Sequence, residues 1–125
     1  MNPTQYKNTT VSRGFNYHYD YSSSKLDSTA TVLFCHGFPS TSHDWRFSIA
    51  YFEKLRYGVL VQDFLGYGGT SNPDNLASYV GSGLTRDIVD ILDEEKLIKV
   101  IAIGHDWGCQ VISSLANWYP ERILA

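Results

Sequence analysis

This chain of 125 residues lacks the features that mark several large classes of protein. No run approaches the roughly 20 apolar residues of a membrane-spanning helix, so we expect no membrane partner. Ten basic residues against 13 acidic ones give a formal charge of −3, which predicts no nucleic-acid partner. Internal repeats, low-complexity tracts and blocks of like charge are also missing. What remains, with 43% hydrophobic and 18% charged residues, is typical of a globular domain.

Cysteine is scarce, and its two positions suggest neither a metal site nor a disulfide framework. Cys35 and Cys109 lie in apolar contexts, with no Cys-x-x-Cys pattern and no nearby histidine pair. We therefore expect reduced thiols packed in the interior, no metal and a cytoplasmic location. The alternative, a stabilising disulfide, would imply export, but residues 1–13 lack the apolar middle of a secretory signal.

Two patterns of hydrophobicity predict the strands. Aromatic side chains at alternate positions over 15–21 predict a half-buried strand, and residues 5–11 are its candidate hairpin partner. Short apolar runs without alternation are typical of strands buried on both faces of a parallel sheet. Such runs occur at 29–35, 59–61 and 100–103.

Apolar stripes at helical spacing lie between and after these runs. They comprise Trp45, Ile49, Phe52 and Arg56 after a Thr41/Ser42 cap; Leu84, Ile88, Ile91 and Leu92; and Val111, Ile112, Leu115, Ala116 and Tyr119 before Pro120. The alternation predicts a doubly wound, mostly parallel α/β sheet: a hairpin plus three parallel strands with crossover helices. In such sheets, ligand chemistry lies at the carboxyl ends of the strands.

The loop after the third apolar run carries the sharpest chemical pattern. Gly104-His105-Asp106-Trp107-Gly108 has the small-x-nucleophile-x-small spacing of a nucleophile elbow, where a strand turns abruptly into a helix. The flanking Gly104 and Gly108 provide the space that side chains would fill, and Asp106 is expected to stand in a strained conformation. A carboxylate there would attack a saturated carbon and form an alkyl ester. The alternative is that Asp106 only caps the helix.

The loop after the first run complements this pattern. In His36-Gly37-Phe38-Pro39, the backbone N–H of Phe38 would join that of Trp107 to form an oxyanion hole. Pro39 fixes the loop and cannot donate a hydrogen bond. His36 is interpreted as a structural residue that braces the loop. We expect His105 to be structural as well, with its side chain directed away from Asp106.

The loop after the second run is glycine-rich but does not predict a nucleotide site. Asp63-x-x-Gly66-x-Gly68 departs from the dinucleotide fingerprint because Ser71 stands where a glycine is needed, and no phosphate-loop lysine is present. A tight structural turn is the favoured interpretation, and we expect no cofactor.

Taken in order, these motifs resemble the epoxide hydrolases of the α/β-hydrolase fold, with haloalkane dehalogenases as close relatives. The resemblance rests on four segments: His36-Gly37-Phe38-Pro39 with Trp45-Arg46, Asp63 to Thr70, Gly104 to Gly108, and Tyr119-Pro120-Glu121-Arg122. It implies that Asp106 opens a small-molecule epoxide or related electrophile, with Phe38 and Trp107 as oxyanion-hole donors. In the dehalogenase alternative, the Trp107 side chain would cradle a leaving halide.

The same resemblance implies groups beyond the printed sequence. The family uses a histidine base, an acid that orients it and cap-domain tyrosines, and none of these can be assigned to residues 1–125. The chain is therefore expected to be the N-terminal part of an α/β-hydrolase domain without cap and C-terminal strands, and to be inactive alone. It would also leave an open sheet edge that invites self-association. The alternative is a non-catalytic fragment acting as a binding or vestigial module.

Overall fold

The computed structural model describes residues 6–26 and 29–125, and it begins with the predicted hairpin. Strands β1 (Tyr6–Thr10) and β2 (Asn16–Ser22) pair in antiparallel register. The alternation of aromatic residues has the predicted consequence, since Tyr17 and Tyr19 are buried. Position 5 of the predicted first strand lies outside the described residues. The serine and aspartate residues of 22–28 also predict a loop, of which positions 27 and 28 lie outside the described residues.

The three apolar runs form three parallel strands. They are β3 (Thr31–Cys35), β4 (Gly58–Gln62) and β5 (Ile101–Gly104), in a mixed sheet of order β1-β2-β4-β3-β5. All residues of β3 and β4 are buried because each strand has a neighbour on both sides and side chains packed on both faces. This arrangement confirms the predicted α/β sheet of a hairpin plus three parallel strands, with the hairpin joined through β2 to β4.

In the part of the chain that the structure describes, three α-helices cover the two faces of the sheet. Helix α1 (Arg46–Lys54) packs against one core that includes Val32, Phe34, Val59 and Val61. Helices α2 (Gly81–Glu94) and α3 (Trp107–Trp118) pack against a second core on the opposite face, which includes Leu33, Cys35 and Leu60. The expectation of packed thiols is wrong for Cys109, which lies in the first turn of α3 and is exposed. Within residues 6–26 and 29–125, no helix has the length and apolarity needed to span a membrane.

Helix α1 is shorter than its apolar stripe predicts. Thr41 accepts a hydrogen bond from the His43 N–H and caps a 3-10 turn, Ser42–Trp45, after which α1 begins. The expectation that Arg56 shares the helical face is wrong, because Arg56 lies beyond Lys54 with φ +71° and is exposed. Its left-handed conformation turns the chain towards β4, which starts only two residues later.

A partly buried ion pair connects the hairpin to α2. Arg13 donates through Nε (2.8 Å) and Nη2 (2.6 Å) to the carboxylate of Asp87, and the Tyr17 hydroxyl donates to the same carboxylate at 2.6 Å. Asp87 is fully buried. Asp90, further along α2, and Glu95, directly after it, accept hydrogen bonds from Ser12 and Tyr19. The acidic side chains of Asp87, Asp90 and Glu95 therefore bind the hairpin, and Asp87 interrupts the apolar stripe of α2.

The sheet edge beside β5 differs from the prediction that no strand lies there. Residues 123–125 run parallel to the start of β5, with a bridge between Val100 and Ile123. The Leu124 N–H donates to the Val100 carbonyl, and the Ala102 N–H donates to the Ala125 carbonyl, both at 2.8 Å. The expected open edge is therefore partly closed by the chain itself.

Candidate active site

The loops that follow β3, β4 and β5 meet at one end of the sheet, as expected for parallel strands. His36, directly after β3, contacts Phe64 after β4 with ring centroids 4.8 Å apart. Gly37 lies so close to Asp106, after β5, that a Cβ atom at position 37 would overlap the Asp106 side chain. The sequence motifs thus form one site, with Asp106 against the Gly37–Phe38 segment.

Asp106 occupies the junction between β5 and α3 in a strained backbone conformation. Its φ of 57° and ψ of −124° are rarely adopted by a residue with a side chain. A Cβ at Gly104 would come within 2.7 Å of Ile112 Cδ1, and one at Gly108 would overlap the Cys35 carbonyl. The two glycines therefore permit the close approach of α3 to β3 and β5. The side chain of Asp106 makes no capping hydrogen bond with α3.

The Asp106 carboxyl is held through one of its two oxygens. The Phe38 N–H donates to Oδ2 at 3.0 Å. The backbone N–H groups of Phe38 and Trp107 lower the pKa of the Asp106 carboxyl below its ordinary value, and the nearby charge of His105 adds to this effect. Asp106 is exposed. The arrangement therefore presents an ionised carboxylate to solvent, with Oδ2 fixed against the backbone.

His36 joins the loops after β3 and β4 through both ring nitrogens. The Phe64 N–H donates to Nε2 at 2.9 Å, so Nε2 carries no proton and Nδ1 carries it. Nδ1 then donates to the Gly37 carbonyl at 3.0 Å. Burial lowers the pKa of His36 below its ordinary value of 6.5. His36 is therefore neutral in the folded chain, and a second ring proton would break its hydrogen bond with Phe64.

We expect the neutral state of His36 to make stability depend on pH. Because folding lowers the His36 pKa, its stabilisation is fully present above 6.5, the ordinary value. It is lost as the pH falls from there through the lower folded-state value, since the unfolded chain binds the proton more readily. Urea unfolding midpoints should fall between about pH 7 and 5 in the wild type and change less in His36→Gln. His43→Gln, at an exposed histidine, should keep the wild-type slope. An identical slope in His36→Gln would contradict this assignment.

Asp63 organises the glycine-rich loop that the sequence interprets as a structural turn. Its Oδ1 accepts the Ser42 N–H at 2.9 Å, and its Oδ2 accepts the Gly69 N–H at 3.0 Å. Gly68 has φ +50°, and a Cβ there would overlap the Asp63 carboxyl. The loop therefore wraps around a buried carboxylate. In the part of the chain that the structure describes, no group of three His, Cys, Asp or Glu side chains could hold a metal ion.

Trp107 and His105, on either side of Asp106 in the sequence, line two different cavities. The Trp107 side chain, 62% exposed, lines an apolar cavity of about 270 Å³ together with Phe64, Tyr67 and Leu84. His105 lines a different cavity with His36, Ser40, Asp44 and Trp45. Phe38 is 64% exposed and is followed by Pro39 through a cis peptide bond.

Tyr67 is a neighbour of the site that sequence reasoning missed. Burial and, after it, the charge of Asp106 raise the pKa of the Tyr67 hydroxyl. Its ring also contacts His36 edge-on, with centroids 5.3 Å apart. Its only signal in the sequence was its place between two turn glycines, Gly66 and Gly68. That pattern indicates a turn, not which side chains the turn approaches.

Comparison with known proteins gives a consistent result. Residues 30–125 match the family described as "alpha/beta hydrolase fold". The chain is 31% identical over 120 residues to "Epoxide hydrolase 2" of Siraitia grosvenorii, covering 95% of this chain and 37% of that protein. It is 36% identical over 101 residues to "Bifunctional epoxide hydrolase 2" of Sus scrofa, covering 81% of this chain and 18% of that protein. The crystal structure of epoxide hydrolase VrEH1 from Vigna radiata superposes with a TM-score of 0.87 at 32% identity, and the match covers 96% of this chain and 37% of that one. The chain thus spans well under half of these relatives.

Proposed function

Because the chain belongs to the α/β-hydrolase fold family, we propose that Asp106 is the nucleophile of an epoxide hydrolase-like reaction and that residues 104–108 form its nucleophile elbow. The observation that carries the proposal is the contact between the Phe38 N–H and Asp106 Oδ2 at 3.0 Å. A residue that only capped α3 would need no donor from outside that helix, but Asp106 Oδ2 accepts a hydrogen bond from the loop after β3. This geometry suits a group whose charge changes during a reaction better than a structural cap.

In the first step, Asp106 Oδ1 attacks a saturated carbon of the epoxide. An ester bond forms, one ring carbon–oxygen bond breaks, and the ring oxygen leaves with the electron pair and takes a proton from water. Oδ1 is the attacking atom because Oδ2 is held by the Phe38 N–H. The low pKa of Asp106 keeps the carboxylate ionised and ready to attack at neutral pH.

In the second step, water attacks the carbonyl carbon of the ester. Negative charge then develops on Oδ2, where the backbone N–H groups of Phe38 and Trp107 act as the oxyanion hole. The bond between the ester oxygen and the former carbonyl carbon breaks, the alcohol leaves with a proton from the attacking water, and a diol is released. The hydroxide left by the first step takes the remaining proton, which restores the carboxylate. Among residues 6–26 and 29–125, no histidine hydrogen-bonds to the Asp106 carboxyl, so we expect this step to be slow in the chain alone.

The remaining parts of the proposal concern the context of the site. Gly37, Pro39, Gly104 and Gly108, with His36 and His105, are assigned to supporting the two loops. We propose that the chain corresponds to the N-terminal part of the hydrolase domain of its relatives. The likeness to epoxide hydrolases supports a small-molecule epoxide as the substrate, with water as the only other reactant. The two free cysteines are consistent with a cytoplasmic location.

The experiment that tests the reaction class is covalent labelling. The chain is incubated separately with styrene oxide and with 1-chlorohexane, and its intact mass is measured over time. We expect a single adduct with the mass of the epoxide, located in the peptide that contains Asp106. Labelling only by the alkyl chloride would favour dehalogenase chemistry, and no labelling by either reagent would favour a non-catalytic binding module.

We also propose that the β5 side of the sheet mediates self-association with a second copy. Large apolar side chains are exposed just before β5, at Ile98, and in the segment that pairs with it, at Leu124. Sedimentation velocity should show concentration-dependent dimers or larger species, because these apolar side chains are exposed to solvent and residues 123–125 cover the edge only in part. Leu124→Lys should shift the chain towards monomer, whereas Leu76→Lys, at an exposed residue outside this edge, should not. A wild-type monomer at all concentrations would contradict the proposal.

A further inference from the structure

The Gly37 carbonyl oxygen accepts several hydrogen bonds, and it belongs to the peptide group whose N–H contacts Asp106. It accepts from the Ser40 hydroxyl at 2.9 Å, from the Ser40 N–H at 3.2 Å and from His36 Nδ1 at 3.0 Å. A carbonyl oxygen has only two lone pairs, so three donors strongly restrict the orientation of the Gly37 carbonyl. Because a carbonyl can only accept, the Ser40 hydroxyl must donate its proton to it.

The same peptide unit carries the donor that contacts Asp106. The Gly37 carbonyl and the Phe38 N–H belong to one planar group, and the cis bond of this loop is the following one, Phe38–Pro39. In a trans peptide, C=O and N–H point in opposite directions. Donors that fix the Gly37 carbonyl on one side therefore fix the Phe38 N–H on the other, where Asp106 Oδ2 accepts it.

Among the donors to the Gly37 carbonyl, the Ser40 hydroxyl is the one that a substitution can alter. Pro39 has no N–H to contribute, and His36 is already held by the Phe64 N–H on its other nitrogen. Ser40 supplies both a backbone and a side-chain donor, and its hydroxyl lies 3.5 Å from His36 Nδ1. Hydrogen bonds that run through one peptide also polarise each other, which strengthens the bond at the far end.

We propose that Ser40 is a positioning residue: its hydroxyl holds the Gly37–Phe38 peptide in the orientation that directs the Phe38 N–H at Asp106. The catalytic meaning of this role rests on the function proposed above. The hydrogen-bond relay itself, from Ser40 through one peptide to Asp106, is a property of the folded chain and can be measured without any reaction.

The test uses NMR on the 125-residue chain and on Ser40→Ala, Ser40→Cys and Ser40→Thr. At neutral pH, Ser40→Ala should shift the Phe38 amide proton upfield, because its hydrogen bond to Asp106 weakens. Ser40→Cys, a weaker donor, should fall between, and Ser40→Thr should resemble the wild type. The carboxyl-carbon titration of Asp106, followed where the amide spectrum stays native, should move upward by about half a pH unit in Ser40→Ala.

Thr41→Ala is the matched control, because it removes a neighbouring hydroxyl that hydrogen-bonds to the His43 N–H and not to Gly37. It should leave both the Phe38 amide and the Asp106 titration unchanged. Native spectra with unchanged signals in Ser40→Ala and Ser40→Cys would overturn the proposal, and so would an equal change in Thr41→Ala. If Ser40→Ala does not fold, the ordering of Ser40→Cys and Ser40→Thr decides. Failure of epoxide labelling with an intact relay would instead count against the proposed function alone.

Discussion

Asp106→Asn is expected to abolish covalent labelling by an epoxide. The amide oxygen has the shape of Oδ2 and can still accept the Phe38 N–H, but it carries no charge with which to attack carbon. We expect the labelling rate to fall by a factor on the order of 10⁴ or more, as for loss of a catalytic nucleophile. Intact-mass measurement after incubation with styrene oxide should show adduct on the wild type and none on the variant.

Asp44→Asn is the matched control for this experiment. Asp44 is an exposed carboxylate close to the site, and it lines the cavity shared with His36 and His105. Its replacement should leave the labelling rate unchanged. An Asp106→Asn protein that is labelled as fast as the wild type would rule out Asp106 as nucleophile. A wild-type ester that decays within minutes would contradict the expectation that ester hydrolysis is slow here.

Asp87→Asn is expected to destabilise the fold by about 3–5 kcal/mol. The Asp87 carboxylate is fully buried and accepts three hydrogen bonds, two from Arg13 and one from Tyr17. Its hydrogen bond raises the pKa of Arg13, which therefore stays charged. An amide would turn one acceptor into a donor and leave the Arg13 cation without its counter-charge. The loss is a large part of the ~5–15 kcal/mol that stabilises a typical domain.

Asp93→Asn provides the comparison on the same helix. Its carboxylate pairs with Arg122 at 2.9 Å, but its side chain is 53% exposed. Water screens such a pair, so the substitution should cost less than about 1 kcal/mol. Urea unfolding followed by circular dichroism gives both values. A difference of less than about 1 kcal/mol between Asp87→Asn and the wild type would show that the partly buried pair contributes little.

Local patterns in the sequence were sufficient to predict much of the fold. Continuous apolar runs gave the three parallel strands, since burial on both faces removes any need for polar residues there. The four ordered motifs indicated the family, and the family match over residues 30–125 confirms that resemblance. The strained conformation predicted at Asp106 is present because Gly104 and Gly108 leave room for it.

What the sequence did not predict depends on contacts between distant residues. Asp87 interrupts the apolar face of α2 and could have been noticed, but its partner Arg13 is 74 positions away. The side chains of Ser40 and Asp63 hydrogen-bond to backbone groups. Because every residue has such groups, the sequence does not indicate which residue is the partner. The pairing of 123–125 with β5 likewise depends on where the chain returns after α3.

The contact between Phe38 and Asp106 uses only the backbone of Phe38, and its aromatic ring remains largely in solvent. The donor is therefore supplied by the path of the chain and not by the identity of the side chain at position 38. Any residue except proline would keep it. Evolution or an engineer can thus vary the surface at position 38 to suit different molecules without removing the group that steadies the carboxylate.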